Sequence, residues 1–266
     1  MDNFEFDGEK YKTASIHQKE WGNKLISELK LEGNEKILDL GCGDGVLTEQ
    51  LSLAVPNGNV LGIDASVGMI KTAEKIVKNN IKFQKDDINK IKYQNEFDVI
   101  FSNAALHWIK DHKKLLANTY NALKIHGIIL WDFGGAGNCA NFIDVIHKKI
   151  TSDKYAEYFK DFEWPWFMPS KFQYEELMSG TGFSNCTIIE VNRDRYFPNA
   201  EEMIKWINQP CIVPFSQNLP GKIKNTFHNE VIAEMLKRTR QTDGTYFETF
   251  RRLKIYAEKS NTWPKY

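Results

Sequence analysis

Cysteine is scarce in this chain, and so is any surplus of charge. The four cysteines, Cys42, Cys139, Cys186 and Cys211, are scattered, with no pair at metal-ligand spacing. Neither a zinc site nor a disulfide scaffold is therefore expected, and four reduced thiols point to a cytoplasmic protein. Lys+Arg and Asp+Glu balance at 35 each, which argues against nucleic acid or an anionic membrane as a partner. No apolar stretch reaches the roughly 18 residues of a membrane helix. The opening MDNFEFDGEK is acidic and lacks the apolar core of a signal peptide. Internal repeats and low-complexity linkers are absent too. What the 266 residues do contain is 42% hydrophobic side chains, among them 7 Trp, 17 Phe and 10 Tyr. That is enough for the core of one large domain, or of a domain with a cap.

The first half alternates between two periodicities. Apolar runs at Lys36–Leu40, Val60–Ile63, Ile81–Gln84, Phe97–Phe101 and Gly127–Phe133 read as strands. Helical spacing occupies Val46–Ala54, Val67–Val77 and His112–Leu123, with a turn at Lys124–Gly127. Ser15–Leu29 forms an earlier helix with Trp21, Leu25, Ile26 and Leu29 on one face. Strands alternating with helices predict a parallel sheet covered on both faces. After Gly134 the texture changes. GGAGNCANF reads as a loop, followed by an aromatic-rich segment and a short helix at Glu175–Ser179. Two further strands are read at Cys186–Tyr196 and Thr245–Tyr256, with helices at Ala200–Asn208 and Lys222–Arg238 between them. The organisation expected is one compact unit: a cofactor-binding core over residues 1–135, then 136–266 carrying the last two strands. Two excursions, about 136–175 and 198–243, form a helical cap on the substrate side.

ILDLGCGDGVLTEQ, residues 37–50, places Gly41, Gly43 and Gly45 where the first strand turns into its helix. One glycine suffices for a tight turn, and each additional one gives up backbone entropy. Three together imply that a ligand approaches the backbone, at the strand end where open sheets bind ligands. The dinucleotide fingerprint G-x-G-x-x-G does not fit, because position 46 is Val. Asp39 is also unwelcome beside a pyrophosphate, whereas a ligand with an ammonium group tolerates it.

The stretch Asp39–Gly45, D-x-G-x-G-x-G, resembles the first motif of class I S-adenosylmethionine-dependent methyltransferases, with further matches in order to about Phe133. The fold implied is a doubly wound, Rossmann-like α/β sheet of seven mostly parallel strands with an antiparallel last strand, plus a helical cap. The cofactor implied is S-adenosylmethionine, with S-adenosylhomocysteine as product. The resemblance assigns Asp39, Gly41, Cys42, Gly43 and Gly45 to the cofactor loop, and Asp64 with Ala65 to the ribose. Asp87 and Ile88 go to the adenine, with Asp86 as the competing acid, and Asn103 to the methionine end; Gln18 is a further cofactor-binding candidate. No metal is implied. Singly, each of these acids would read as a solvated loop residue.

FSNAALHWIKD (Phe101–Asp111), PNAEEMIKW (Pro198–Trp206) and DGTYFETFRRLKIYAEK (Asp243–Lys259) resemble the trans-aconitate methyltransferase family. Tyr11–Trp21 and the His107–Trp108 pair also resemble juvenile hormone acid methyltransferases. Both families esterify small carboxylic acids, although Gly137–Phe172 matches neither closely. All six arginines fall in the last third, and arginine binds carboxylates in a bidentate fork that lysine lacks. Arg252 matches the family's last-strand Arg-Leu, and Arg251 should face the other way. The catalytic set expected is therefore His107, Trp108 and Arg252, acting on an organic acid in a monomeric protein. A carboxylate needs no general base, so His107 would hydrogen-bond the acceptor; with a phenol, an amine or a carbon acid it would act as base. Open alternatives are a carrier-bound acid such as a malonyl thioester, and a non-catalytic S-adenosylmethionine-binding protein. A nucleic-acid acceptor is disfavoured, since Ser-Asn-Ala-Ala stands where N-P-P-Y or D-P-P-Y would follow the fourth strand.

Overall fold

The computed structural model describes residues 16–217 and 219–260. In chain order these form α1 (Ile16–Ile26), β1 (Lys36–Leu40), α2 (Val46–Ala54), β2 (Asn59–Asp64), α3 (Val67–Ala73), β3 (Ile81–Lys85), β4 (Phe97–Asn103), α4 (His112–Ala122) and β5 (Leu123–Gly134). Then follow α5 (Ala140–Ile150), α6 (Lys171–Ser179), β6 (Phe183–Asn192), β7 (Arg195–Phe197), α7 (Ala200–Trp206), α8 (Val213–Ser216), α9 (Gly221–Thr239), β8 (Tyr246–Glu248) and β9 (Arg251–Lys259). Ser15 and the Tyr11–Ser15 part of the N-terminal resemblance lie outside the described residues.

The chain divides into two compact units. Among the described residues, the first holds those up to Ala136, Trp166–Val191 and those from Arg252 to Ser260. It contains a seven-stranded sheet in the order β3-β2-β1-β4-β5-β9-β6. β1 to β5 pair in parallel, and β9 runs antiparallel to β5. Alternation along the strands sends side chains to two cores. Ile37, Val99, Phe101 and Leu130 pack with Leu25 of α1 and Leu51 of α2 on one face. On the other, Leu38, Leu40, Ile100, Ile129, Trp131 and Phe133 pack with Leu115 and Leu116 of α4 and with Tyr174 and Met178 of α6.

The second unit comprises Gly137–Pro165 and Asn192–Arg251. Its helices α5 and α9 pack around Phe142, Tyr155, Phe215 and Phe227, all fully buried or nearly so. β7 and β8 form a separate antiparallel ribbon.

Four local readings are corrected. The Lys124–Gly127 turn is a bulge inside β5, where the register against β4 jumps from Phe97↔Leu123 to Val99↔Ile128 and His126 takes φ +66°. The strand read at Cys186–Tyr196 breaks at Asn192, whose Oδ1 accepts from the Asp194 N–H at 3.0 Å and turns the chain. The strand read at Thr245–Tyr256 likewise breaks after Glu248, whose carboxylate accepts from the next N–H at 2.8 Å. Finally, a full helix, α5, begins inside the supposed loop at Ala140. Its first N–H groups are capped by Glu248, which accepts from Asn141 and Phe142 at 3.1 and 2.9 Å. A cap more than a hundred residues away leaves no local start signal.

Candidate active site

All three glycines of the β1–α2 loop are left-handed, with φ of +71°, +56° and +82° at Gly41, Gly43 and Gly45. Side chains are excluded at two of them by the protein itself. A Cβ on Gly41 would lie 2.2 Å from the Ala105 Cβ, and one on Gly45 would lie 2.7 Å from the Phe83 ring. Their absence of side chains therefore needs no ligand to explain it, contrary to the close-approach reading. The loop is fastened to the end of β2: Gly41 and Cys42 both donate to the Ile63 carbonyl, at 2.9 and 3.0 Å. Cys42 itself is buried, and burial pushes its thiol well above the ordinary value.

The strand-end acids gather around this loop. Asp64 accepts from Gly43 N–H at 3.0 Å and from Ser66 N–H at 2.9 Å, with the half-buried Ala65 between. Asp39 is 2% exposed and accepts from the Thr48 hydroxyl at 2.7 Å. Burial pushes its carboxyl up to about 7, opposed by the Thr48 hydrogen bond and reinforced by the Asp64 charge. The Asp64 carbonyl receives the Asp86 N–H at 3.0 Å, which brings the end of β3 alongside. Asp87 caps the short turn that follows, accepting from Asn89 N–H at 3.0 Å and pairing with Lys90 at 3.2 Å. Desolvation raises its pKa, but these partners outweigh it and leave the carboxyl below the usual range. Ile88, beside it, is buried. At the end of β4 the Asn103 amide donates to the Gln18 carbonyl at 2.9 Å, tying α1 to the strand. Asn103 Oδ1 and Gln18 Oε1 are buried acceptors with no hydrogen-bond partner among the described residues.

Beyond Asn103 the chain passes through Ala104 at φ +59° into a single 3-10 turn, Leu106–Trp108. His107 is buried, and its Nδ1 has no hydrogen-bond partner among the described residues. Burial pushes the imidazole down to about 3, with the Arg252 guanidinium and then His112 adding to the effect. Trp108 meets Trp166 edge-on at 5.6 Å. Arg252 is 4% exposed and is already paired. Its Nε donates to Asp132 Oδ1 at 2.6 Å, its Nη2 to the Asp132 carbonyl at 2.9 Å, and its guanidinium lies 5.1 Å from the centre of the Trp21 ring. Arg251, by contrast, turns toward Asn192 and Asp194 and is half-buried. Asp132 escaped the sequence reading, although an acid inside the apolar run Ile128–Phe133 was a signal that a cation must meet it.

The match to known proteins is broad. A methyltransferase domain family matches residues 31–161. The trans-aconitate 2-methyltransferase of Deinococcus radiodurans is 30% identical over 201 residues, covering 70% of this chain and 72% of that protein. The enzyme of the same name from Mycobacterium tuberculosis is 27% identical and covers 95% of this chain and 96% of its own. Among solved structures, the YcgJ protein from Bacillus subtilis superposes with a TM-score of 0.64 at 17% identity, over 92% of this chain and 99% of that one. The glycine loop, the acids at successive strand ends and these relatives agree, and the chain belongs to the class I S-adenosylmethionine-dependent methyltransferases, with the trans-aconitate methyltransferase family.

Proposed function

We propose that this enzyme methylates a carboxylate oxygen of a small organic acid, trans-aconitate being the first candidate. Its resident cofactor, S-adenosylmethionine, supplies an electrophilic methyl group on a sulfonium. The residues present suit that molecule. The unpartnered acceptors Asn103 Oδ1 and Gln18 Oε1, with the Asp39 carboxyl, match an ammonium-bearing methionine end. Asp64 is suited to the ribose hydroxyls, and Asp87 with Ile88 to the adenine. Gly41, Cys42, Gly43 and Gly45 would present the loop backbone to the cofactor.

The observation that carries the carboxylate reading is a buried guanidinium, Arg252, whose charge acts on a buried, uncharged imidazole, His107. The guanidinium's charge adds to burial in holding the imidazole pKa down, and its bonds to Asp132 engage Nε and Nη2. At neutral pH His107 is uncharged and weakly basic, so it serves as a hydrogen-bonding group rather than a proton acceptor. A carboxylate is ionised at that pH and needs no base. The protein's task is then to align the oxygen and exclude water, with Trp21, Trp108 and Trp166 supplying the apolar surroundings. Asp132 tempers the positive charge of Arg252, which favours directed hydrogen bonding over capture of any anion.

The test is a panel of organic acids, trans-aconitate included, with methyl-labelled S-adenosylmethionine. Label in a base-labile ester is the expected product. A preferred acceptor lacking any carboxylate would overturn the reading.

A further inference from the structure

The turn that presents His107 is only three residues long and is entered through the left-handed Ala104. Its own backbone bonds are Trp108 N–H to the Ala105 carbonyl at 3.0 Å and Ile109 N–H to the Leu106 carbonyl at 2.9 Å. Two such bonds fix a turn poorly, and the hydrogen bonds of a 3-10 turn are less well aligned than those of an α-helix. Among the described residues, two of its backbone carbonyls are held from elsewhere. The Phe167 N–H donates to the His107 carbonyl at 2.8 Å. The Nε2 of His112, the first residue of α4, lies 3.0 Å from the Leu106 carbonyl.

His112 is unusual for a helix-start residue. It is 2% exposed, and its ring lies against Phe133, Phe167 and Tyr174, with centroids 5.4, 4.9 and 5.4 Å away. Its Nδ1 sits 3.0 Å from the hydroxyl of Tyr174, itself fully buried. The proton positions follow from the partners. A carbonyl only accepts, so the hydrogen is assigned to Nε2, which faces Leu106; Nδ1 is then an acceptor for the Tyr174 hydroxyl, although the Ile109 carbonyl also acts on the ring. The result is a one-way chain from Tyr174 through the imidazole to the Leu106 carbonyl, one residue before His107. Burial keeps this imidazole neutral, its pKa pushed down to about 4.

We propose that His112 is a positioning residue for methyl transfer: held as the Nε2–H tautomer by Tyr174, it fixes the Leu106 carbonyl and so the place from which His107 meets the acceptor. This rests on the reading of His107 as an acceptor contact. His112 touches neither acceptor nor cofactor in this scheme, and acts only through the turn.

The experiment pairs two substitutions of similar polarity. In His112→Gln the side-chain amide reaches the former Nε2 position and can still donate to Leu106. In His112→Asn the shorter amide stops near Nδ1, keeps a partner for Tyr174 and leaves the Leu106 carbonyl without its donor. Histidine-ring 15N spectra of the free protein should show His112 as the Nε2–H tautomer. They should show the His107 ring unchanged in His112→Gln and displaced in His112→Asn. With trans-aconitate as acceptor, His112→Asn should lower kcat/KM by about tenfold or more, and His112→Gln by about threefold at most. In a His107→Ala background the Asn substitution should cost less than about twofold.

An Nδ1–H tautomer at His112, or equal effects of Gln and Asn on the His107 resonances, would overturn the proposal. So would an undiminished Asn effect in a slow His107→Ala enzyme, which leaves the acceptor reading intact. If His107→Ala turns over at the wild-type rate, the acceptor reading falls and this inference with it. The spectra need no acceptor and decide alone if trans-aconitate is not turned over.

Discussion

At the Gly41–Gly45 loop the conformation is written in the backbone, whereas at the Leu106–Trp108 turn it is imposed from outside. The loop has three left-handed glycines, hydrogen bonds to the end of β2, and neighbours that leave no room for a Cβ at Gly41 or Gly45. The turn has one left-handed alanine, and depends on Phe167, His112 and Tyr174 for its position. The two differ in what a mutation can do. Damage to the loop acts locally, while the turn and the Arg252 beside it can be disturbed from positions far along the chain.

Arg252 gives the largest expected effect. Arg252→Leu would leave Asp132 buried without its cation, which should lower stability by about 3–5 kcal/mol. Arg251→Leu, which breaks a half-buried pair with Asp194 that water still reaches, should lower it by only about 1 kcal/mol. Urea unfolding measures both; equal midpoints would show that the Asp132 pairing is not structural. Loss of turnover in Arg252→Leu alone therefore cannot be assigned to acceptor binding. The double variant Asp132→Asn/Arg252→Leu should recover stability while remaining slow.

Asp64 comes next. Asp64→Ala should weaken S-adenosylhomocysteine binding by roughly 2–3 kcal/mol, because a charged acceptor shared by two hydroxyls is lost. The same change frees the N–H groups of Gly43 and Ser66, so Asp64→Asn, which keeps an acceptor there, is the companion variant. Calorimetry giving unchanged affinity in the folded alanine variant would refute the ribose assignment.

The smallest effect is a pH dependence. Asp39 titrates at about 7 in the folded protein, raised from 3.8 mainly by burial. A cationic ligand favours its ionised form, so binding below pH 7 must first expel a proton. Affinity should then rise about tenfold between pH 6 and 8, and the rise should vanish in Asp39→Asn. For stability the sign is opposite: a raised folded pKa favours the fold below the unfolded value and loses that contribution as pH climbs through 7. An unchanged pH profile in Asp39→Asn would remove Asp39 from the cofactor site.

The parts of this molecule legible in the sequence are those governed by neighbours along the chain. β1 and α2 fall where periodicity puts them, and the first five strands were all anticipated, because each alternates against a helix covering one face of the sheet. The glycine spacing also marked the loop correctly, though for a partly different reason. A side chain at Gly41 would meet Ala105, just beyond the end of β4, and Gly43→Val would meet a φ of +56° whatever ligand were present. What stayed hidden depends on pairing at a distance. Glu248 starts α5 from 107 residues away, Asp132 finds Arg252 after 120, and Tyr174 reaches His112 across 62. Periodicity carries no information about such partners.

The antiparallel β9, seated between β5 and β6, bears on how the protein is made. A ribosome adding about 5–20 residues per second delivers Asp132 well before Arg252, whose side chain lies 120 positions later. During that interval β5 carries Asp132 without the Arg252 guanidinium, and the edge that β9 will cover stays open. Chains released early would keep that edge ajar and stay open to proteases and chaperones. The strand that covers the edge of β5 is thus also the one that brings Asp132 its guanidinium, so the two can be completed only together.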